Sequence, residues 1–369
     1  MIYPLLPAYI ATVLGAGPAF LGAIEGAAEA TASLLKLVSG IWADRLAHRK
    51  PLVVLGYALS AIARPLVAIA TSPWHVLAVR ITDRVGKGLR TSPRDAVVAD
   101  VTTPQTRGRA FGFHRAMDHT GAVIGPLVAI ALLHVLGPGE RSLRIVFACA
   151  AVPGVLAMLA LVFGLVEPKR AERAEPRPHE TAAPLGPQFR KYLAVLLVFT
   201  LGNSSDAFLL LRASEEGVPA IQLPLIWVAL HVVKSALSTW FGGLSDRLGR
   251  KRTIAAGWTV YAACYGLFAV AGGQLAIWGV FGLYGVYFAL TEGAEKALCA
   301  ELVPAESRGR AFGLFHATVG LGALPASIVF GAIWQRWSSA AAFGTGAVLA
   351  LVAAVLLATL VRGQRAQVN

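Results

Sequence analysis

Residues 80–95 read RITDRVGKGLRTSPRD and place a dense group of charges between two apolar stretches. Polar side chains recur here at spacings of 3, 1, 3, 3, 1 and 3 residues, which is the pattern of a single stripe along a helix. The stripe consists of Arg80, Asp83, Arg84, Lys87, Arg90, Thr91 and Arg94. Such a stripe can line the path of a charged solute, or it can hold neighbouring helices together through ion pairs, and both alternatives stand.

The stretch does not have the pattern of a nucleotide-binding loop. A phosphate-binding loop has Ser or Thr after its Gly-Lys pair and follows a strand, whereas Gly86 and Lys87 are followed by Gly88 and no strand is predicted before them. We find no catalytic constellation elsewhere. The three cysteines (Cys149, Cys264, Cys299) have neither metal-ligand nor disulfide spacing. The sequence therefore predicts no enzyme, no cofactor and no resident metal.

Composition predicts an integral membrane protein. Of the 369 residues, 56% are hydrophobic and 14% are charged, whereas soluble domains have about 25% charged residues. The net charge of +13 could suggest nucleic acid, but the basic residues occur in short clusters between apolar stretches rather than on one solvated face. We therefore expect the chain to lie in a lipid bilayer and to bind no nucleic acid.

Twelve apolar stretches, named span 1 to span 12, are predicted as membrane helices, because a helix needs about 20 apolar residues to cross a bilayer. They cover about 1–14, 18–41, 51–71, 74–96, 110–136, 143–166, 191–211, 222–243, 253–272, 274–300, 310–335 and 337–361. Span 1 has only half a helix before the turn at 15–18, so we expect a truncated first helix. A linker rich in Pro and charge, 167–190, separates an N-terminal half (1–166) from a C-terminal half (191–369).

Basic residues predict the orientation of the spans. Nineteen of the 33 Lys and Arg residues lie in the linker, at the C-terminus and in the alternate loops on their side, against four in the opposite loops. The positive-inside rule places the more basic set, and with it the linker and the C-terminus, in the cytoplasm. We therefore expect a multi-pass protein of the plasma (inner) membrane.

The two halves are internal repeats. GIWADRLAHRK (40–50) matches GGLSDRLGRKR (242–252) at an offset of 202 residues, and RGRAFGFHRA (107–116) matches RGRAFGLFHA (308–317) at an offset of 201. Internal repeats of this size are typical of secondary transporters.

These motifs resemble those of the major facilitator superfamily over nearly the whole chain. The first loop motif has Gly40, Asp44, Arg45, Arg49 and Lys50, with Ala47 where the family usually has glycine. The second copy has Gly242, Asp246, Arg247, Gly249, Arg250 and Lys251. Arg80, Gly86 and Gly88 are similar to a fourth-helix motif of the family, and Gly121, Gly125 and Pro126 to a fifth-helix pattern associated with exporters.

The resemblance implies an all-α integral membrane fold of two six-helix halves related by pseudo-two-fold symmetry. It implies that Asp44 and Asp246, among their arginines, latch the halves together when the cytoplasmic side is closed. It also implies that spans 4, 7 and 10 border the substrate path.

Span 2 carries acidic residues that match the stripe of span 4 in depth. At 1.5 Å per residue, Glu25 and Arg80 lie about 10 and 9 Å deep, and Glu29 and Arg84 about 16 and 15 Å. A charge at mid-membrane costs at least ~2.5 kcal/mol, so it faces a partner or a cavity. We therefore expect Glu25 to face Arg80 and Glu29 to face Arg84.

Other charged residues inside the spans are further candidates. Asp206, in the GNSSDAFLLL segment of span 7, is predicted to be a proton or cation site. His119 of span 5 could titrate near neutral pH, and Glu29 is the third candidate for coupling. Glu292 and Glu295 of span 10 are expected to form an inner gate.

The sequence as a whole favours a proton-coupled exporter, an antiporter that acts as a monomer on a small anionic or zwitterionic solute. The substrate path would then contain Glu25, Glu29, Arg80, Asp83, Arg84, Lys87, Arg90 and Asp206. One alternative is a metal-cation or drug exporter that uses Glu25, Glu29 and Asp206 as its binding charges. Another is a membrane sensor with the same fold that does not transport.

Overall fold

The structure is a computed structural model that describes residues 5–6, 9–10, 13–15, 18–137, 139–167, 185–219 and 222–362, with the backbone alone for 18–26. Every regular element within these residues is a helix. In the N-terminal half the helices are Pro18–Arg45 (span 2), Lys50–Ala63 with the 3-10 turn Arg64–Ile69 (span 3), Pro73–Asp100 (span 4), Arg107–Leu136 (span 5), and Glu140–Cys149 with Ala151–Gly164 (span 6). Spans 2 to 6 thus lie within a few residues of their predicted bounds.

The C-terminal half follows the same pattern. Its helices are Pro187–Leu201 and Asp206–Glu215 (span 7), Leu223–Leu248 (span 8), Arg250–Val270 (span 9), Gln274–Glu301 (span 10), Arg308–Arg336 (span 11) and Ser339–Leu360 (span 12). In the part of the chain that the structure describes, nine helical segments are long and apolar enough to cross a bilayer. The charged stripe keeps span 4 out of that group. The all-helical membrane fold is therefore confirmed.

Two glycines of the opening stretch bring span 4 close to its neighbours. A Cβ added to Gly86 would lie 2.5 Å from the carbonyl oxygen of Gly56 in span 3. A Cβ added to Gly88 would lie 2.5 Å from the Cβ of Leu35 in span 2. Small residues allow such close approach between membrane helices, and here they hold the charged stripe against spans 2 and 3.

Span 7 is broken at the polar residues 202–205. Its second helix begins at Asp206, and the Oγ of Ser205 accepts a hydrogen bond from the N–H of Ala207 at 3.3 Å. The hydroxyl of Tyr261 donates to the carbonyl oxygen of Gly202 at 3.1 Å. Helix ends leave backbone groups without partners, so these side chains stabilise a break that would otherwise be costly in a membrane.

The chain separates into two compact units. One contains residues 1–97 and 123–181, and the other contains 98–122 and 182–369. The first part of span 5 thus belongs to the same unit as the C-terminal half. The division into halves at the linker stays a prediction from the repeat.

Each unit has its own core. In the first unit, Tyr9 is fully buried and its hydroxyl donates to the carbonyl oxygen of Ala70 at 3.0 Å. The second unit has an aromatic core in which Phe199 stacks on Trp258 at 4.5 Å and Tyr261 stacks on Tyr265 at 4.2 Å between ring centroids. Aromatic side chains bury the largest areas, so these rings fix the positions of spans 7 and 9.

A lysine of each loop motif closes a helix end. The Nζ of Lys50 donates to the carbonyl oxygens of Val162 and Leu165 at 2.9 and 2.7 Å, where span 6 ends. The Nζ of Lys251 donates to those of Ala358 and Val361 at 2.9 and 3.1 Å, where span 12 ends. A cation at a helix C-terminus is favourable, so both copies of the repeat use this lysine to tie the third helix of a half to its sixth.

Candidate functional site

The carboxylate of Glu29 lies among three cations of spans 2 and 4. Its oxygens are 3.5 Å from the Nζ of Lys36, 3.8 Å from the Nε of Arg84 and 3.7 Å from the Nζ of Lys87. The predicted proximity of Glu29 and Arg84 is therefore confirmed. The side chain of Glu29 is 51% exposed, in contrast to that of Lys36, which is 10% exposed. The side chain of Glu25, and with it the predicted pairing of Glu25 with Arg80, lies outside the described residues.

Asp83 is tied to span 3 by a residue that the sequence did not single out. The Nε of Arg64 donates to its carboxylate at 2.9 Å, and Nη1 atoms of Arg80 and Arg84 lie 3.9 and 4.0 Å away. The side chain of Asp83 is only 5% exposed. A buried carboxylate with a close Arg partner is held in place rather than presented to a ligand, so its geometry favours a structural role.

Arg90 also contacts span 3. Its Nη1 donates to the carbonyl oxygen of Gly56 at 3.0 Å and to the Oγ of Ser60. Its guanidinium lies 4.5 Å from the centre of the Tyr57 ring, within the range of a cation–π interaction. These contacts give Arg90 a packing role, whereas Lys87 and Arg84 face the half-exposed Glu29.

The charged side chains in and around the stripe form a set that we call the span 2–4 cluster. Among the described side chains it holds two carboxylates, Glu29 and Asp83, and six cations, Lys36, Arg64, Arg80, Arg84, Lys87 and Arg90. Within the described side chains the cluster therefore has more positive than negative charge, and Glu29 is the more exposed of its two carboxylates.

Asp206 stands at the break in span 7. Its Oδ1 accepts a hydrogen bond from the hydroxyl of Tyr284 in span 10 at 2.8 Å, and its position in the first turn of a helix is favourable for a negative charge. In the part of the chain that the structure describes, no group of three or more His, Cys, Asp or Glu side chains could hold a metal ion. Asp206 thus joins spans 7 and 10 through one tyrosine.

A second polar cluster joins spans 5, 8 and 10 inside the second unit. The Nε2 of His119 lies 2.8 Å from a carboxylate oxygen of Glu292, and its Nδ1 lies 3.1 Å from the Nδ1 of His231. Lys234, one turn after His231, is 4% exposed with its Nζ over the ring of Phe288. His231 and Lys234 were not among the predicted site residues. Their signal is that they are the two ionisable residues of span 8 as predicted (222–243), and they lie three residues apart.

Glu295 lies one turn beyond Glu292 and has a different environment. Its carboxylate accepts a hydrogen bond from the indole Nε1 of Trp258 at 2.9 Å. The structure thus gives the two predicted gate residues separate partners, an imidazole and an indole. On span 5, the Nη1 of Arg115 lies 3.4 Å from a carboxylate oxygen of Asp118, three residues further along the helix.

The second loop motif caps the start of span 5. The carboxylate of Asp246 accepts hydrogen bonds from the backbone N–H groups of Gly108 and Arg109 at 2.8 and 2.9 Å, while Arg250 lies 3.4 Å from it. A Cβ on Gly242 would lie 2.3 Å from the carbonyl oxygen of Gly108, so only glycine permits this contact. The carboxylate therefore stabilises a helix N-terminus that belongs, by sequence, to the other half.

In the first loop motif, Asp44 lies 3.1 Å from the Nη2 of Arg49, whose side chain is 1% exposed. Gly40 is buried, and Arg45 and Arg247 are exposed. Arg308, at the start of span 11, forms an ion pair with Asp100, at the end of span 4. Its Nη1 lies 2.6 Å from the Oδ1 of Asp100. The latching of one half to the other by Asp44 stays a prediction.

The helices and their buried charge clusters define a multi-pass membrane protein of the transporter class. The chain belongs to the Major Facilitator Superfamily, whose sequence model matches residues 1–291 and 213–368. It is 32% identical to an uncharacterized MFS-type transporter of Methanocaldococcus jannaschii over 368 residues, which are 97% of this chain and 89% of that protein.

A sequence match covers part of the chain, and a structural match covers nearly all of it. The multidrug resistance protein MdtH of Photorhabdus laumondii is 33% identical over 133 residues, or 36% of this chain and 33% of that protein. The structure of the proton:xylose symporter XylE superimposes with a TM-score of 0.76 at 16% identity, covering 94% of this chain and 87% of that one. The predicted family and fold are therefore confirmed.

Proposed function

We propose that this chain is a proton-coupled exporter of a small anionic or zwitterionic solute, working by alternating access as a monomer in the inner membrane with its C-terminus in the cytoplasm. The observation that carries the proposal is the half-exposed Glu29 among Lys36, Arg84 and Lys87. Three cations around one half-exposed carboxylate provide the hydrogen-bond donors that a substrate carboxylate or phosphate needs.

Export is supported by the exporter-like glycine and proline pattern of span 5 and by the partial similarity to MdtH. A metal-cation substrate is less well supported, because Glu29 already faces three cations and within the described residues no acidic or imidazole group has the geometry of a metal site. An organic-cation substrate would have to bind next to the same surplus of positive charge, which opposes it electrostatically.

Thermal stability of the purified protein in detergent tests the substrate class. The probes are impermeant organic anions and zwitterions (succinate, citrate, glutamate) and organic cations (tetraphenylphosphonium, ethidium). A ligand that binds only the folded protein raises the melting temperature, so we expect shifts with members of the first group.

Arg84→Gln should weaken the binding of such an anion about 10- to 150-fold, since a hydrogen bond to a charged group contributes ~1.5–3 kcal/mol. Arg336→Gln is the matched control, because Arg336 is exposed at the end of span 11. Stabilisation by the cations alone, or equal anion binding in Arg84→Gln and the wild type, would refute the proposal.

A further inference from the structure

His231, His119 and Glu292 form a continuous hydrogen-bonded chain from span 8 through span 5 to span 10. His119 in the middle is 7% exposed, while the side chain of Glu292 is 18% exposed and His231 is also partly exposed. A buried middle group with two partly accessible ends is the arrangement that a proton relay requires. Trp227 packs against the ring of His231 at 5.3 Å between centroids and holds the first imidazole in place.

The geometry fixes how many protons the chain holds. Each of the two short contacts, N···O at 2.8 Å and N···N at 3.1 Å, needs one proton between its atoms. With Glu292 ionised, Nε2–H of His119 donates to the carboxylate and Nδ1–H of His231 donates to Nδ1 of His119. The Nε2 of His231 then has a lone pair and can accept a proton.

Proton transfer through this chain balances at every atom. A proton that binds Nε2 of His231 makes that ring cationic, and its Nδ1 proton passes to Nδ1 of His119. His119 in turn releases its Nε2 proton to the Oε2 of Glu292. Both histidines end neutral with their tautomers reversed, and Glu292 ends as a neutral carboxylic acid.

The positions along the helices give the relay a direction. Spans 8 and 10 both begin on the predicted outer side. A Cβ added to Gly285 of span 10 would lie 2.8 Å from the Cγ1 of Val233 in span 8, so Gly285 is level with the residues next to His231. Glu292 lies about two helical turns beyond Gly285, toward the predicted cytoplasmic end of span 10. The accepting imidazole is thus nearer the outside, and the carboxylate nearer the cytoplasm.

Other charges face the relay from the same three spans. They are Arg115 of span 5, Lys234 of span 8 and Glu295 of span 10.

We infer that His231 and His119 relay a proton to Glu292, and that Glu292 binds the coupling proton of the exporter; this rests on the proposed function. At Glu29, a proton would remove a negative charge from among three cations and strengthen anion binding, which suits co-transport. At Glu292, a proton turns a charge-assisted hydrogen bond into a neutral one of about half the strength. The contact between spans 5 and 10 weakens, as exchange of an outside proton for an inside solute requires.

Time-resolved infrared spectroscopy of the purified full chain tests the relay without a substrate. Protons released by photolysis of o-nitrobenzaldehyde serve as the probe, and the carboxylic acid C=O band of Glu292 is the signal. Glu292→Gln should abolish this band. His231→Gln keeps an N–H donor for His119 but cannot pass a proton, so the band should rise at least tenfold more slowly with its final amplitude retained. His134→Gln, exposed near the other end of span 5, should behave as the wild type.

Equal rates in His231→Gln and the wild type would overturn the relay, and a band that persists in Glu292→Gln would overturn Glu292 as the proton acceptor. Neither result depends on export. A protein that failed the thermal-shift test could still show the relay, and an anion exporter could lack it, so failure of the inference and failure of the proposed function are distinguishable.

Discussion

Asp246→Asn should weaken the contact between the predicted cytoplasmic ends of spans 5 and 8. The carboxylate is 4% exposed and accepts N–H groups of Gly108 and Arg109 at 2.8 and 2.9 Å. An asparagine has one carbonyl oxygen for these two donors, and its NH₂ group faces the other. One charged hydrogen bond is lost and one becomes neutral, at a cost of about 2–4 kcal/mol. The equilibrium between the formed and the broken contact should therefore shift about 30- to 700-fold.

Electron–electron resonance distances between spin labels measure this shift. Labels at Gln105 and Glu306, both exposed, are placed in a background in which the three native cysteines are replaced by serine. Asp246→Asn should move the population to a longer distance. Glu140→Gln is the control, because Glu140 is exposed and its ion pair with Arg144 lies within one helix. An unchanged distance distribution in Asp246→Asn would refute the reasoning.

Two other substitutions probe the helix contacts. Lys251→Met removes the cation that binds the carbonyl oxygens at the end of span 12, so it should lower the melting temperature by a few degrees, for a loss of about 1–2 kcal/mol. Arg252→Met, at an exposed neighbouring position, should leave the melting temperature unchanged. An equal decrease in both variants would contradict the stabilising role of Lys251. Gly112→Ala places a Cβ 2.2 Å from the carbonyl oxygen of Ser238 and should lengthen the same spin-label distance. Gly121→Ala, with nothing within 4 Å, should leave it unchanged.

The sequence was sufficient for the features that depend on periodicity. The spacing of the stripe in span 4 placed its charges on one helix face, and depth counted at 1.5 Å per residue brought Glu29 to Arg84. The repeat located both loop motifs. These predictions succeed because a membrane helix has fixed length, direction and rise, so position in the sequence converts directly into depth.

The sequence was not sufficient for partners that depend on how helices rotate against each other. The Arg64–Asp83 bond and the His119–His231 contact join spans whose relative rotation no spacing reveals. Span 7 was predicted as one continuous helix, and the break at 202–205 was not foreseen, although Ser205 is a favourable N-cap residue. In each case tertiary packing selects one of several contacts that the residue types allow.

The measurement that tests the account most directly is dissipation of a proton gradient in proteoliposomes that contain the purified protein. A pH-sensitive dye follows the gradient while the anions, zwitterions and cations of the thermal-shift panel are added. We predict that members of the anionic or zwitterionic group dissipate the gradient in the wild type, and that they do so at least tenfold more slowly with Arg84→Gln. Dissipation by the cations alone, or an unchanged gradient with every anion and zwitterion, would contradict the account.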